Sequence, residues 1–233
     1  MSTPTTRRPQ GGPPLPAPAL AYGVLMIASV VLSATTPQPS APAASVLAYD
    51  QAHHTALTAA GFLAFGASVP LAIWAATVYR RLRTLGVTAP GAVIGLSGGI
   101  LAATGLALTG LLSWTRGQLA SADGTAGVAK ALADLGFATG SAGFVVPLAL
   151  LVAGVAVPSL ILGFGPKALA WAGLVIAAVG MLATFTLLTP ALDATLPIGR
   201  FGSLLWLVAV SVTLPHTRHE VRATVAGRAT ATP

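Results

Sequence analysis

The chain has 233 residues, of which 55% are hydrophobic and only 7% charged, 12 Lys and Arg against 5 Asp and Glu. Soluble domains carry about a quarter charged residues, so this chain cannot cover a water-facing surface, and a mean hydropathy of +0.82 points to lipid. With no Cys a disulfide framework is excluded, and the net charge of +7 is read as a topological signal, with no nucleic acid expected as partner.

The first 16 residues are rich in Pro, Gly and Thr, and are expected to form a disordered cytoplasmic tail. Six apolar stretches of the length needed to cross the bilayer follow, at 17–34, 56–78, 90–113, 136–162, 168–189 and 197–214. The Pro- and Ala-rich segment 37–45 reads as an irregular loop. In 115–135, Val128, Leu132 and Leu135 recur at helical spacing, so the fourth helix is expected to begin before its span. Residues 216–233 form a short basic tail. The runs are continuously apolar rather than alternating, which excludes a β-barrel. The expected fold is all-α: a six-transmembrane-helix bundle over 17–215. Arg7, Arg8 and the Ala41-Pro42-Ala43 triplet have the outline of a cleaved signal. Pro9, Gln10 and two glycines follow the arginines where a twin-arginine signal continues with bulky apolar residues, so the first helix is expected to be retained.

Placing both tails in the cytoplasm puts nine Lys and Arg inside and three outside (Arg116, Lys130 and Arg200), while four of the five acidic residues fall outside. That is the positive-inside bias of a plasma-membrane protein, here a bacterial one with several passes. Tyr22, Tyr79 and Trp171 fall near the inner boundary, and Tyr49 and Trp114 near the outer, as an aromatic belt would place them. Trp206 lies mid-span and is expected to pack against another helix.

Residues 66–78 and 143–155 match at seven of thirteen positions at an offset of 77, and the same offset sets Leu85-Gly86 on Leu162-Gly163. This favours a duplicated parallel hairpin, with helices 2–3 and 4–5 as the copies. Pro70 and Pro147 occupy equivalent mid-helix places. Each frees a carbonyl, and either kinks its helix around a cavity or serves packing alone.

Gly95-Leu96-Ser97-Gly98-Gly99 matches a nucleophile pattern and the Gly-x-Ser-Gly of rhomboid proteases, yet no span holds a His base. Gly95, Gly99, Ala103 and Ala107 are better read as a small-residue stripe for close helix approach. Asp50, His53 and His54 stand at i, i+3 and i+4, a spacing that on one helix would bring three metal ligands together; an interfacial polar turn is the alternative. Arg200 is the one charge inside a span, with Asp193, Asp134 and Asp50 as candidate partners and snorkelling to headgroups as the alternative. No motif implies a cofactor.

Several phrases, among them Pro70–Val78, Arg81–Gly86, Ala170–Ile176 and Leu196–Gly202 followed by Leu205–Val208, occur in order over roughly residues 20–215. Through them the chain resembles a family of uncharacterised bacterial six-span integral membrane proteins, a domain of unknown function with no assigned activity. The resemblance implies six helices in an inner membrane and nothing catalytic. The reading expected is a non-enzymatic membrane protein, either an accessory subunit or a small-molecule- or lipid-binding module. Its partners would be the bilayer and a membrane protein or a second copy. The candidate polar site is Asp50, His53, His54, Asp134 and Arg200. The alternatives are a facilitator-type transporter with a cavity near Pro70, Pro147 and Trp206, and an outer-interface metal-dependent enzyme using Asp50, His53 and His54.

Overall fold

The computed structural model describes residues 13–120 and 125–215. The tail reading for 1–16 therefore lies mostly, and that for 216–233 wholly, outside the described residues. What is described is an all-α bundle: α1 (Pro16–Leu32), α2 (Ala43–Ala52), α3 (His54–Leu85), α4 (Gly91–Ala120), α5 (Ala126–Gly140), α6 (Ala142–Leu162), α7 (Lys167–Leu182) and α8 (Thr195–Thr213). Two short 3-10 turns, Ala183–Leu187 and Pro190–Leu192, connect α7 to α8. Five segments are long and apolar enough to cross a membrane, with α5 and α6 counted together, whereas α1 has 17 residues. At 1.5 Å per residue α1 reaches about 25 Å, a little under the hydrocarbon thickness. Large apolar side chains remain exposed around the bundle, such as Phe62 at 70% and Ile161 at 75%, as a lipid-facing surface requires.

Local sequence explains most of the boundaries. Pro16 and Pro18 sit in the first turn of α1, where an N–H has no helical partner to lose. Gly86 and Gly163, the two glycines paired by the offset of 77, end α3 and α6 in the left-handed region, at φ 98° and 69°. Each is followed by a turn into the antiparallel neighbour, α4 or α7. The two hairpins thus share a proline in the first arm and a glycine at its end; the second arms differ, since α4 has 30 residues and α7 has 16.

Two expectations need correction. The segment 37–45 is not loop throughout, because α2 begins at Ala43 behind Pro42, whose extended ψ of 146° starts the helix. The fourth helix does begin before its span, at Ala126, but it is interrupted within it: Ser141 leaves helical geometry at ψ −102° and separates α5 from α6. His53, at φ −124°, likewise separates α2 from α3.

α4 is the central post, and glycine lets two helices reach its backbone. A Cβ at Gly98 would stand 2.6 Å from the Leu151 nitrogen on α6, and one at Gly110 would stand 2.5 Å from the Phe65 nitrogen on α3. The expected stripe therefore does not form one seam. Gly95 faces Gly154 of α6, Gly99 faces Ala75 of α3, and Ala107 is only partly buried. The reason is geometric: a helix touching two neighbours divides its small residues between two faces. Ser97 points away from both and is exposed.

Aromatic side chains close the core. Trp206 packs on Gly173 and donates to the Leu169 carbonyl at 2.8 Å, as its mid-span place suggests. Trp74 is fully buried and donates to Ser211 Oγ at 2.7 Å, joining α3 to α8. Tyr22 departs from the belt expected of it and is buried completely. Trp114 and Trp171 stay exposed, at 46% and 58%.

Candidate functional site

The bundle end that carries α2 and α5 is polar. Asp50 on α2 is 1% exposed and accepts two hydrogen bonds from Arg116 on α4, from Nη2 at 2.6 Å and Nε at 3.1 Å. This side-on pairing matches a planar guanidinium to a carboxylate. Burial pushes the Asp50 carboxyl above its ordinary range, against the opposing hydrogen bonds and charge of Arg116.

His53 and His54 take no part in that pair. The His53 ring stacks on Tyr49 with centroids 4.2 Å apart and its Nδ1 meets the Tyr49 carbonyl, while His54 Nδ1 meets the Gln51 carbonyl. The helix break at His53 removes the single-helix register that would align them with Asp50. Among the described residues no group of three His, Cys, Asp or Glu is gathered as a metal site would need. Asp134 pairs with Lys130 one turn earlier on α5. Lys130 also donates to the Pro39 carbonyl at 2.8 Å, which ties the α1–α2 connection to α5.

Arg200 is engaged by neighbouring helices. Its Nη2 donates to the Gly140 carbonyl at the α5–α6 break, and its guanidinium carbon lies 5.7 Å from the centre of the Phe144 ring. Among the described residues no carboxylate pairs with it, so Asp193, Asp134 and Asp50 are not its partners. Its enclosed Nε has no hydrogen-bond partner among the described residues, nor has the Tyr22 hydroxyl, with which Arg200 interacts electrostatically, nor the Ser203 hydroxyl on the next turn of α8.

Arg116, Asp134 and Arg200 share a cavity of about 400 Å³. It is lined by α3 and α4 at Ala60, Ala64 and Ser113, by α5, and by residues 36–39. Most hydroxyls in this wall have spent their protons on carbonyls: Ser29 on Ala60 at 2.9 Å, Ser113 on Leu57 at 3.1 Å, and Ser33 on Ser29 at 2.9 Å. Towards the cavity they offer lone pairs. Thr36 Oγ1 is buried and has no partner among the described residues. Pro70, Pro147 and Trp206 do not line this space. Farther along the helices, Leu71, Trp74, Phe144 and Leu148 are all 0% exposed, so the interior beyond the cavity is packed.

Of the five expected site residues, the structure brings Asp134 and Arg200 to one cavity, sets Asp50 behind Arg116 at its edge, and leaves His53 and His54 outside. Arg116 and Lys130 were counted in the sequence only as charges on one side. The available signal was an Asp and an Arg, each beside a span end on the same side, but no spacing links residues 66 apart.

Fold and site together define a helical integral membrane protein with a polar chamber at one end of its bundle. No family model, curated protein or solved structure matches the chain.

Proposed function

We propose that this is a non-enzymatic, ligand-binding integral membrane protein of the bacterial plasma membrane. It crosses the bilayer six times, α1 included, keeps both tails in the cytoplasm, and opens its chamber toward the outer side. The observation that carries the reading is the cavity of about 400 Å³, a volume suited to a small molecule or a lipid headgroup, set into an otherwise packed bundle. Its polar groups sit where an intramembrane arginine marks a site by default. Membership of the resembled six-span family, and an accessory role beside a membrane protein or a second copy, belong to the same proposal. A facilitator has less support, because the packed interior beyond the chamber offers no path.

The test is what co-purifies. Small molecules and lipids extracted from the wild-type protein are compared with those from Ala133→Trp, whose indole would enter the chamber from α5. Loss of a retained compound in the variant supports the reading, and identical extracts overturn it. Orientation is tested separately on this cysteine-free chain. An impermeant thiol reagent should label Gln38→Cys in intact cells and Thr84→Cys only after lysis; the reverse pattern would invert the topology.

A further inference from the structure

Building on that reading, we infer that the ligand is an anionic amphiphile with hydroxyl groups beside its acidic group. It enters sideways between α1 and α8 and places its negative charge on Arg200.

Charge decides the sign. Arg116 is neutralised by Asp50 and Lys130 by Asp134, which leaves the Arg200 guanidinium, among the described residues, as the unbalanced charge of the cavity wall. The guanidinium is half-buried in the cavity wall, with one carbonyl and the face of Phe144 as company, so an anion that joins it supplies the charge partner the surrounding side chains do not. Among the described residues Arg200 makes a single hydrogen bond and its enclosed Nε has none, so donors remain for an acid oxygen. The hydroxyls of Ser29, Ser33 and Ser113 can only accept, because their protons are on carbonyls. They are complementary to a ligand that donates, as the glycerol hydroxyls of a phosphatidylglycerol headgroup do.

The route follows from which residues meet. α1 contacts α8 at Gly23, where an added Cβ would stand 3.6 Å from Leu204. Toward the α2–α5 end the same two helices line the cavity, with Val30 on α1 and Ser33 just past its end lining it together with Pro197, Arg200 and Phe201 on α8. The connection at 36–39, anchored by Lys130 through Pro39, also lines the chamber. The space between the helices is therefore a lateral slot with apolar lips, Val30 and the 36%-exposed Phe201, suited to an acyl chain left in the bilayer.

The test is native mass spectrometry of the full chain released from nanodiscs of equal phosphatidylglycerol and phosphatidylcholine, beside a calorimetric titration with inorganic phosphate. A charge-assisted contact should favour phosphatidylglycerol about tenfold or more. Arg200→Lys should keep that preference, and a monodisperse Arg200→Gln should lose it. Equal retention of the two lipids by the wild type would overturn the inference while leaving the chamber a lipid site. Tight binding of inorganic phosphate that displaces phosphatidylglycerol would overturn the lateral, amphiphilic part. No retained lipid in either wild type or Ala133→Trp would overturn this inference and remove lipid from the reading it rests on.

Discussion

Asp50 and Arg116 lie 66 residues apart and form a two-point ion pair, 2.6 and 3.1 Å, with neither side chain more than 7% exposed. The pair pins the short α2 to the central α4 and forms one edge of the chamber. Removing the carboxylate alone would strand a buried guanidinium. Asp50→Ala should cost about 3–5 kcal/mol, whereas the double variant Asp50→Leu, Arg116→Met should recover most of that loss. Thermal unfolding in detergent of both variants measures it, and equal losses in the two would contradict the account.

The same carboxyl sets a pH dependence. Because burial raises its pKa in the folded chain above the ordinary value of about 3.9, the folded state holds this proton more firmly than the unfolded state. Its stabilising contribution is therefore complete below the unfolded value and is lost as pH rises through the raised folded one. The stability of wild type minus that of Asp50→Asn, followed from acid toward neutral pH, should fall. A rise would mean that Arg116 outweighs burial.

Gly98 and Gly127 separate close approach from helix propensity. Gly98→Ala must push Leu151 backbone away and should destabilise by about 1–3 kcal/mol. Among the described residues nothing lies within 4 Å of a Cβ added at Gly127, so Gly127→Ala should be neutral or stabilise by up to about 1 kcal/mol. Thermal midpoints of the two variants should move in opposite directions or differ clearly.

Lys130 joins α5 to the 36–39 segment that lines the chamber. Lys130→Met removes its bond to the Pro39 carbonyl and should speed amide exchange of Ala41 and its neighbours by about fivefold or more, as befits one hydrogen bond of about 1 kcal/mol. Exchange in α7, remote from the change, should not move. Equal acceleration in both places would indicate general loosening rather than release of this segment.

Much of the architecture was legible before any contact was known. The apolar run at 56–78 falls inside α3, and those at 90–113 and 197–214 fall inside α4 and α8 but for one end residue each, because burial of apolar surface in lipid is additive along a segment. Helix ends at Gly86 and Gly163 were also visible, as a repeated Leu-Gly. The breaks at His53 and Ser141 were not, since neither residue is a strong helix breaker and both breaks depend on where the adjoining helices are held.

The sequence by itself determined the class of protein, the order of its helices and the scarcity of charge inside them. These are sums over neighbouring residues, which need no knowledge of what packs against what. Only the tertiary structure decided that Asp50 meets Arg116 rather than Arg200, that Gly95 and Gly99 face different helices, and that Arg200 turns inward to Gly140 beside an open chamber. Those outcomes depend on how closely backbones approach and in what rotation, which is set by contacts between residues far apart in the chain.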